Sequence, residues 1–385
     1  MKQGNRASLL GAVMVVGLAA SACERPAGDI APDLSPAAVA AKVVDDRFEA
    51  GAAAFAKYCA LCHGAEAKGY AADHAPSLVS TTFLASASDE YIARGIREGR
   101  PGTAMAPYGK LRGGPLDEDE VTAIIAFLRD KGPARERLAK TTVIGDATRG
   151  EAVYKASCQR CHGTRTDRGD AVHLANTALL SAASDSFLRY AVVHGRPGTP
   201  MPGFQGVLGE DDIDNVVALL RSWAAPTAPE RAAPPELPPL GEVVINPKGK
   251  NAELKLRDDR FVPIDDVKRA IDAGKRVVII DARATSDWLV MHIPGSISVP
   301  YYAFTRLDAL PNDDTWITAY CACPHHASGA VVDELRKRGF KHTAVLDEGI
   351  LEWKKRSYPT ESDPSIADAG APPTPPVRGP RPARP

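Results

Sequence analysis

The stretch Cys59-Ala-Leu-Cys-His63 decides the fold, and it returns later in the chain as Cys158-Gln-Arg-Cys-His162. In the pattern C-x-x-C-H, two thiols one helical turn apart can add to the two vinyl groups of one haem, and the adjacent imidazole can bind the iron. The second cysteine pair follows the first by 158 − 59 = 99 residues. One such motif could arise by chance, but two of them indicate two haem-binding units.

A second motif repeats in nearly the same register. Gly99-Arg-Pro-Gly-Thr-Ala-Met105 is matched by Gly195-Arg-Pro-Gly-Thr-Pro-Met201, and the two methionines are 201 − 105 = 96 residues apart. Beyond residue 22 the chain contains one further methionine, Met291. A repeat of this length is too long for a solenoid unit, so it predicts two tandem domains.

Each copy also predicts the same helices around the methionine motif. The predicted helices are 87–98 and 117–130 in the first copy, and 184–194 and 209–223 in the second. Asp117 with Glu120 predicts a capping box at the start of one helix, and Gly209 with Asp212 is its weaker copy.

Residues 45–134 and 144–225 each resemble a class I cytochrome c domain, of the small type found in dihaem electron carriers and oxidase subunits. The resemblance implies a few helices wrapped around one haem in each domain. It therefore implies two covalently bound haem c groups, each able to carry one electron.

The resemblance also assigns the haem contacts residue by residue. The attachment cysteines would be Cys59, Cys62, Cys158 and Cys161. His63 and His162 would be the proximal iron ligands, and Met105 and Met201 the distal ligands. A thioether is a soft ligand that favours ferrous iron, and a Met/His pair raises the reduction potential.

Two alternatives to methionine ligation remain open. His74 and His173 both lie eleven residues after a proximal histidine and could form bis-histidine haems. A methionine is also common as core filler. The second copy departs from the first, because Leu174-Ala175-Asn176 stands where the first has a proline, Pro76. The hydrogen-bond partner of the second proximal histidine is therefore not predicted.

The chain changes character over residues 243–360, where apolar runs typical of buried strands alternate with helical patterns. The predicted strands are 277–280 and 316–320, and the predicted helices are 265–273 and 328–338. This alternation predicts a parallel sheet with helices on both faces.

The same region resembles a rhodanese-like domain. The residues that carry the resemblance are Asp281-Ala-Arg283, His292-Ile-Pro-Gly-Ser-Ile297, Tyr320-Cys321, Leu346-Asp-Glu-Gly349 and Trp353. The predicted fold class is thus two all-α cytochrome c domains followed by an α/β rhodanese-like domain with a parallel sheet. We interpret His292 as a structural residue, since it belongs to a loop motif that supports the fold.

The resemblance places Cys321 where the family holds its persulfide, just before a helix whose N-terminus favours a thiolate. The loop Cys321-Ala-Cys-Pro-His-His-Ala-Ser328 lacks the glycine and arginine of the usual family loop. Four functions stay open: sulfur transfer at Cys321, a non-catalytic docking module, a redox role for a disulfide of Cys321 with Cys323, and a metal site. That metal site would use both cysteines with His325 and His326.

The N-terminus has the pattern of an export signal over residues 1–22, with Lys2 and Arg6 before a short apolar segment. Ala20-Ser-Ala-Cys23 resembles a bacterial lipobox, which implies lipidation of Cys23. A lipoprotein anchored on the periplasmic side of a membrane is predicted, with a soluble periplasmic protein as the alternative. Export agrees with haem attachment, which takes place outside the cytoplasm in bacteria.

Composition defines the remaining segments. The predicted tether is 23–44, the Pro-rich linker is 226–242 and the disordered Pro-rich tail is 361–385. The chain has 47 Lys and Arg against 48 Asp and Glu, so no basic excess indicates nucleic acid.

The predicted function is one-electron transfer between redox proteins in the periplasm, with an appended domain that handles sulfur at Cys321. The alternatives are an enzyme that oxidises a small sulfur compound and passes electrons to its own haems, and a degenerate rhodanese-like module used for docking. If the appended domain handles sulfur at Cys321, weak thiosulfate or persulfide sulfurtransferase activity is expected.

Overall fold

The computed structural model describes residues 36–70, 72, 74–225, 233–322 and 325–364. The predicted signal peptide, Cys23 and Cys323 lie outside the described residues, as does the predicted tail beyond residue 364. Residues from Val44 onward form one compact unit, to which both C-x-x-C-H motifs and the sheet belong.

The two halves of the N-terminal region contain the same helices in the same order. The first half contains α1 (Pro36–Tyr58), α2 (Ala60–His63), α3 (Thr81–Ser86), α4 (Asp89–Glu98), a short 3-10 turn (Lys110–Arg112) and α5 (Glu118–Asp130). The second half contains α6 (Ala147–Ser157), α7 (Gln159–His162), α8 (Thr177–Ala182), α9 (Asp185–His194) and α10 (Glu210–Ser222). The predicted all-α repeat is confirmed.

Helix α1 starts inside the segment that was predicted as a tether, and so replaces the part of it from Pro36 onward. Residues 37–41 contain four alanines, which have the strongest helix propensity. Proline is also well tolerated in the first turn of a helix. Helix propensity at these positions outweighs the flexibility that was expected from the Ala- and Pro-rich composition, on which the tether was predicted.

The predicted capping box at α5 is confirmed. The Asp117 carboxylate accepts from the backbone N–H of Glu120 at 2.9 Å, and the Glu120 carboxylate accepts from the N–H of Asp117 at 2.9 Å. The prediction of a weaker copy of this capping box at α10 is wrong, because Gly209 has no side chain and no side-chain cap forms there.

The first and last helices of each half cross at a glycine. A Cβ atom on Gly51 would lie 2.0 Å from the carbonyl oxygen of Ala123 in α5, and one on Gly150 would lie 2.1 Å from that of Asn215 in α10. Any side chain here would separate the two helices. These close crossings set the frame that holds the short C-x-x-C-H helices α2 and α7.

The C-terminal region contains five strands and four α-helices over its described residues. In chain order they are β1 (Phe261–Val262), α11 (Ile264–Asp272), β2 (Val277–Asp281), α12 (Thr285–Val290), β3 (Ile297–Ser298), a 3-10 turn (Thr305–Ala309), β4 (Trp316–Tyr320), α13 (His326–Lys337), β5 (Thr343–Leu346) and α14 (Gly349–Lys355). All paired strands are parallel, in the order β1-β5-β4-β2-β3. The predicted parallel sheet is confirmed.

Successive side chains of the sheet enter two separate cores, because they point alternately to its two faces. Val278 and Ile280 pack with the buried side of α13, whereas Val277 and Ile279 pack with Val267 of α11 and with residues of α14. All five residues of β2 are buried. This double burial explains why the first four residues of the strand, 277–280, are all apolar instead of alternating with polar ones.

The two halves of the N-terminal region pack against each other with approximate two-fold symmetry. Helix α4 contacts α8, and the equivalent pair α9 and α3 are also in contact. Tyr91 and Phe187 occupy equivalent positions, and their ring centroids are 4.5 Å apart. Self-contact of equivalent positions is the property of an isologous interface.

We predict that Gly150→Ala lowers the stability of the second half by about 1–3 kcal/mol, because the added methyl overpacks the crossing of α6 and α10. The measurement is a urea titration of the purified holoprotein followed by circular dichroism. Gly241→Ala is the matched control, since nothing lies within 4 Å of the Cβ it would add. Equal midpoints for both variants would contradict the role of the crossing.

Candidate functional site

The first C-x-x-C-H helix presents its histidine in a defined orientation. The Nδ1 atom of His63 lies 2.9 Å from the carbonyl oxygen of Pro76. Because a carbonyl can only accept, Nδ1 carries the proton and the lone pair remains on Nε2. Burial lowers the pKa of His63, which favours the neutral imidazole that a metal needs.

The second histidine makes the same kind of bond with a different residue. The Nδ1 atom of His162 donates to the carbonyl oxygen of Val172 at 2.7 Å, and burial lowers its pKa as well. Sequence alone did not predict this partner, because the proline of the first copy has no counterpart. A backbone carbonyl accepts this hydrogen bond whatever side chain its residue has. The residue type therefore does not indicate which residue is the partner.

The repeated G-R-P-G-T-x-M motif builds the same loop twice. The N–H of Arg100 donates to the carbonyl of Met105 at 2.8 Å, and the N–H of Arg196 donates to that of Met201 at 3.0 Å. The Thr103 hydroxyl accepts from the N–H of Met105 at 3.1 Å, as the equivalent threonine does for Met201 at 3.2 Å. The backbone of each methionine is therefore held at the same place in its loop.

The rival histidines are placed differently from the methionines. His74 is exposed, with a backbone φ of 52° in a tight turn. The Nε2 atom of His173 lies 3.0 Å from the carbonyl oxygen of Thr164. The surroundings of His74 therefore differ from those of His173, whereas the two methionine loops have the same hydrogen bonds.

The four attachment cysteines fit a haem c group. Cys59 and Cys158 each stand at the N-terminus of a short helix that ends with the histidine. None of the described cysteines forms a disulfide. Burial raises the pKa of the Cys59 thiol to about 12 and that of Cys158 to about 11. Two thiols, an imidazole with its Nε2 lone pair and a nearby thioether loop are the donor set of haem c.

The carboxyl end of the parallel sheet packs against the first haem-binding half. The Tyr301 hydroxyl lies 2.8 Å from the Tyr108 hydroxyl and also donates to the carbonyl of Tyr58, which directly precedes Cys59. The Tyr302 ring meets that of Tyr58 edge to face, with centroids 5.0 Å apart. A cluster of four tyrosines thus joins the two regions.

Sequence reasoning missed this tyrosine cluster. The only available signal was the position of Tyr58 beside the first C-x-x-C-H and of Tyr108 shortly after the methionine. Their partners lie more than 190 residues away in the chain, so only the tertiary structure pairs them. Burial raises the pKa values of Tyr108, Tyr301 and Tyr302, so all three stay protonated in the ordinary pH range.

Cys321 follows β4 and is 1% exposed. Its Sγ atom lies 3.3 Å from the Ser328 hydroxyl, and its carbonyl accepts from the N–H of Ile350 at 3.0 Å. A Cβ on Gly349 would lie 2.4 Å from the Cys321 carbonyl oxygen, so the glycine in the Leu346–Gly349 motif is needed for this close approach.

His325 is directed to an acidic residue. Its Nε2 atom lies 2.6 Å from the Asp347 carboxylate, which Arg257 also contacts at 2.7 Å. The His325 ring packs on Phe261 with centroids 4.3 Å apart. Among the described residues no three His, Cys, Asp or Glu side chains form a group able to hold a metal ion. The proposed metal site also needs Cys323, which lies outside that part of the chain.

Two of the other motif residues support the fold. Arg283 donates to the Asp281 carboxylate at 2.6 Å, and both side chains are buried. The Nδ1 atom of His292 donates to the carbonyl of Trp288 at 2.7 Å, and the two rings stack with centroids 4.1 Å apart. The buried, hydrogen-bonded setting of His292 agrees with its structural interpretation.

Two family models match the chain. The model described as cytochrome C oxidase, cbb3-type, subunit III matches residues 46–128 and 145–220. The model described as a rhodanese-like domain matches residues 263–356. These three matched segments contain both C-x-x-C-H motifs, both methionine loops and Cys321.

Individual proteins resemble parts of the chain. Cytochrome c55X of Stutzerimonas stutzeri is 41% identical over 70 residues, which cover 18% of this chain and 61% of that protein. The cbb3-type cytochrome c oxidase subunit FixP of Bradyrhizobium sp. (strain ORS 278) is 27% identical over 184 residues, covering 45% of this chain and 59% of that protein. The chain spans about three fifths of the length of these two curated relatives.

A solved structure of a rhodanese-related protein from Thermoplasma volcanium is 23% identical and covers 26% of this chain and 97% of that one, with a TM-score of 0.24. No described helix is both long and apolar enough to cross a membrane. From the matches to the two family models, the chain contains two tandem cytochrome c domains, which imply covalently bound haem c, followed by a C-terminal rhodanese-like domain.

Proposed function

We propose that the protein is a dihaem c-type cytochrome that transfers single electrons between redox proteins. The observation that carries this proposal is the repetition, in both cytochrome domains, of a histidine held through Nδ1 by a backbone carbonyl. Haem c, when bound, supplies a one-electron redox centre whose potential depends on its ligands and on burial. Two equivalent sites support two such centres.

The protein's own residues orient the ligands. The carbonyls of Pro76 and Val172 hold the imidazoles of His63 and His162 in one tautomer, with Nε2 available to the iron. The two methionine loops hold Met105 and Met201 as the proposed distal ligands. Because the two imidazoles and the backbones of the two methionines are fixed in advance, we expect little reorganisation when a bound haem changes oxidation state.

Electron exchange between the two sites is supported by the interface of the cytochrome domains. The Asn176 side chain donates to the carbonyl of Pro101 at 2.9 Å, and the Thr82 hydroxyl donates to the carbonyl of Gly195 at 2.7 Å. Pro101 and Gly195 both belong to the methionine loops. Each loop is therefore part of the contact between the domains, so we propose that electrons pass across it.

The N-terminal sequence supports an exported protein. We propose that residues 1–22 direct export and that Cys23 carries the lipid anchor, with redox protein partners on the periplasmic side. Burial of acyl chains contributes about 0.8 kcal/mol for each CH₂ group, so a multiply acylated cysteine would anchor firmly.

Sulfur handling at Cys321 is the second proposed activity. Its support is the position of Cys321 between the end of β4 and the start of α13, beside the Ser328 hydroxyl. Against rapid turnover, the thiol is 1% exposed and the carboxyl end of the sheet packs on the first cytochrome domain. Slow transfer is the expected behaviour.

Met105→Ala and Met201→Ala should each remove, for one haem, the weak charge-transfer band that sulfur-to-iron ligation gives towards the near infrared in the oxidised protein. The measurement is absorption spectroscopy of the purified holoprotein, with the number of haems counted by the pyridine haemochrome method. His74→Ala and His173→Ala are the controls and should keep the full band. A full band in both methionine variants would show that the distal ligands are misassigned.

Mass spectrometry of the native N-terminus should find a diacyl or triacyl Cys23. The same analysis of a Cys23→Ala variant should find no acylated N-terminus, and that protein should leave the membrane fraction. A wild-type protein that begins with unmodified Cys23 in the soluble fraction would support the periplasmic alternative instead.

Thiosulfate or a persulfide donor should reduce haem only slowly, and Cys321→Ser should abolish the part of the rate that depends on the rhodanese-like domain. Stopped-flow absorption of the full chain measures this directly. Ser328→Ala is a milder variant, because it removes only the hydroxyl beside Sγ. Identical rates for wild type and Cys321→Ser would rule out coupling and favour the docking function.

A further inference from the structure

The two cytochrome domains differ in one face although their local geometry is the same. In the first domain, Leu61 of the C-x-x-C-H motif and Ala104 of the methionine loop pack against the core of the rhodanese-like domain. Their equivalents in the second domain are Arg160 and Pro200, and both are exposed. The face that carries these residues is therefore covered in one copy and open in the other.

The two domains also differ in how exposed the side chains are that would bind the haem. His63 is 6% exposed, whereas His162 is only half-buried. Cys62 is half-buried, whereas its equivalent Cys161 is exposed. The tyrosine cluster with Tyr301 at its centre lies beside Cys59 and contributes to this closure of the first site.

The open face of the second domain is basic. Lys155, Arg160 and Arg165 lie within or close to the second C-x-x-C-H motif in the sequence and are exposed, and Arg168 is half-buried. Residues 155–168 contain these four cations and one acid, Asp167, so their net charge is 4 − 1 = +3 with His162 neutral. The whole chain has a net charge of −1, so this concentration of positive charge is local.

A hollow lies next to this face. Its volume is about 500 Å³, and its lining includes Lys155, Gln159 and Arg165, with Tyr154 at its apolar side. Glu151 is the one acidic residue of the lining. Gln159 lies between the two attachment cysteines, so a group seated in the hollow would be adjacent to the second haem-binding helix.

We propose that the rhodanese-like domain closes the exchange face of the first cytochrome domain, and that an external redox protein with an acidic surface docks on the open, basic face of the second. The inference rests on the proposed function, since it needs a haem in the second domain. Opposite charges steer the encounter and orient the partner. One electron crosses the docked surfaces, so one protein is oxidised and the other reduced, and no covalent bond forms or breaks.

The sequence of the two motifs agrees with this division. Cys-Ala-Leu-Cys-His presents an apolar side chain, Leu61, which packs against the core of the rhodanese-like domain. Cys-Gln-Arg-Cys-His presents a polar and charged surface that remains in water. One copy is thus suited to a permanent internal contact and the other to a transient external one.

The test compares two double variants of the full-length holoprotein. Lys155→Glu with Arg160→Glu reverses the proposed docking face. Lys57→Glu with Lys68→Glu makes the same charge change near the first C-x-x-C-H motif, and both of these lysines are exposed. Oxidised plastocyanin, which has an acidic patch, is the probe, and azurin, which lacks one, is the control oxidant. Stopped-flow absorption follows oxidation of the reduced haems.

At low ionic strength, the variant at Lys155 and Arg160 should react with plastocyanin about tenfold more slowly than wild type, because steering is lost. The variant at Lys57 and Lys68 should stay within about twofold, and the difference should vanish in high salt, where exposed charges are screened. Rates with azurin should change little. Equal losses in both variants, or none in either, would overturn the proposal.

Haem content separates the two levels of failure. One haem per chain would refute the proposed dihaem function itself, whereas two haems with unaltered rates would refute only the docking face. A dimer in sedimentation experiments that dissociates in the variant at Lys155 and Arg160 would show that a second copy covers this face, and would also overturn the proposal.

Discussion

The close crossing of two helices at a glycine is the constraint on which each cytochrome domain depends. Gly51 and Gly150 allow backbone contact that any Cβ would prevent. In each domain a single residue, the first cysteine of the motif, separates the end of this first helix from the start of the C-x-x-C-H helix. The position of the thiols and of the imidazole therefore follows from a packing requirement some distance away.

Identical local chemistry is then placed in two different surroundings. Both histidines proposed as proximal ligands are oriented by a backbone carbonyl, and the backbone N–H of each proposed methionine ligand is held by a threonine hydroxyl. The surroundings differ because, among the described residues, Leu61 and Ala104 of the first domain pack against the rhodanese-like domain, whereas their equivalents in the second are exposed. Burial and dielectric environment influence the potential of a haem, so two equal ligand sets need not give equal potentials.

The rhodanese-like domain packs through the end of the sheet that carries Cys321. Tyr301 and Tyr302 follow β3, and Ser286 at the start of α12 donates to the carbonyl of Pro107 in the first cytochrome domain. All three belong to the carboxyl end of parallel strands, where α/β domains usually bind ligands. The edge of the sheet at which such domains often bind a substrate is here in contact with the first cytochrome domain.

The sequence by itself determined the tandem domains, the two C-x-x-C-H motifs and the parallel sheet, because these depend on local spacing and on periodicity. It also predicted the capping box at Asp117, which needs only residues three apart. Only the tertiary structure decided that Val172 orients His162, that Tyr301 joins Tyr108, and that one cytochrome face is covered. These contacts are made by backbone carbonyls or between residues that are far apart in the chain. Neither the residue types nor their spacing in the sequence can therefore predict them.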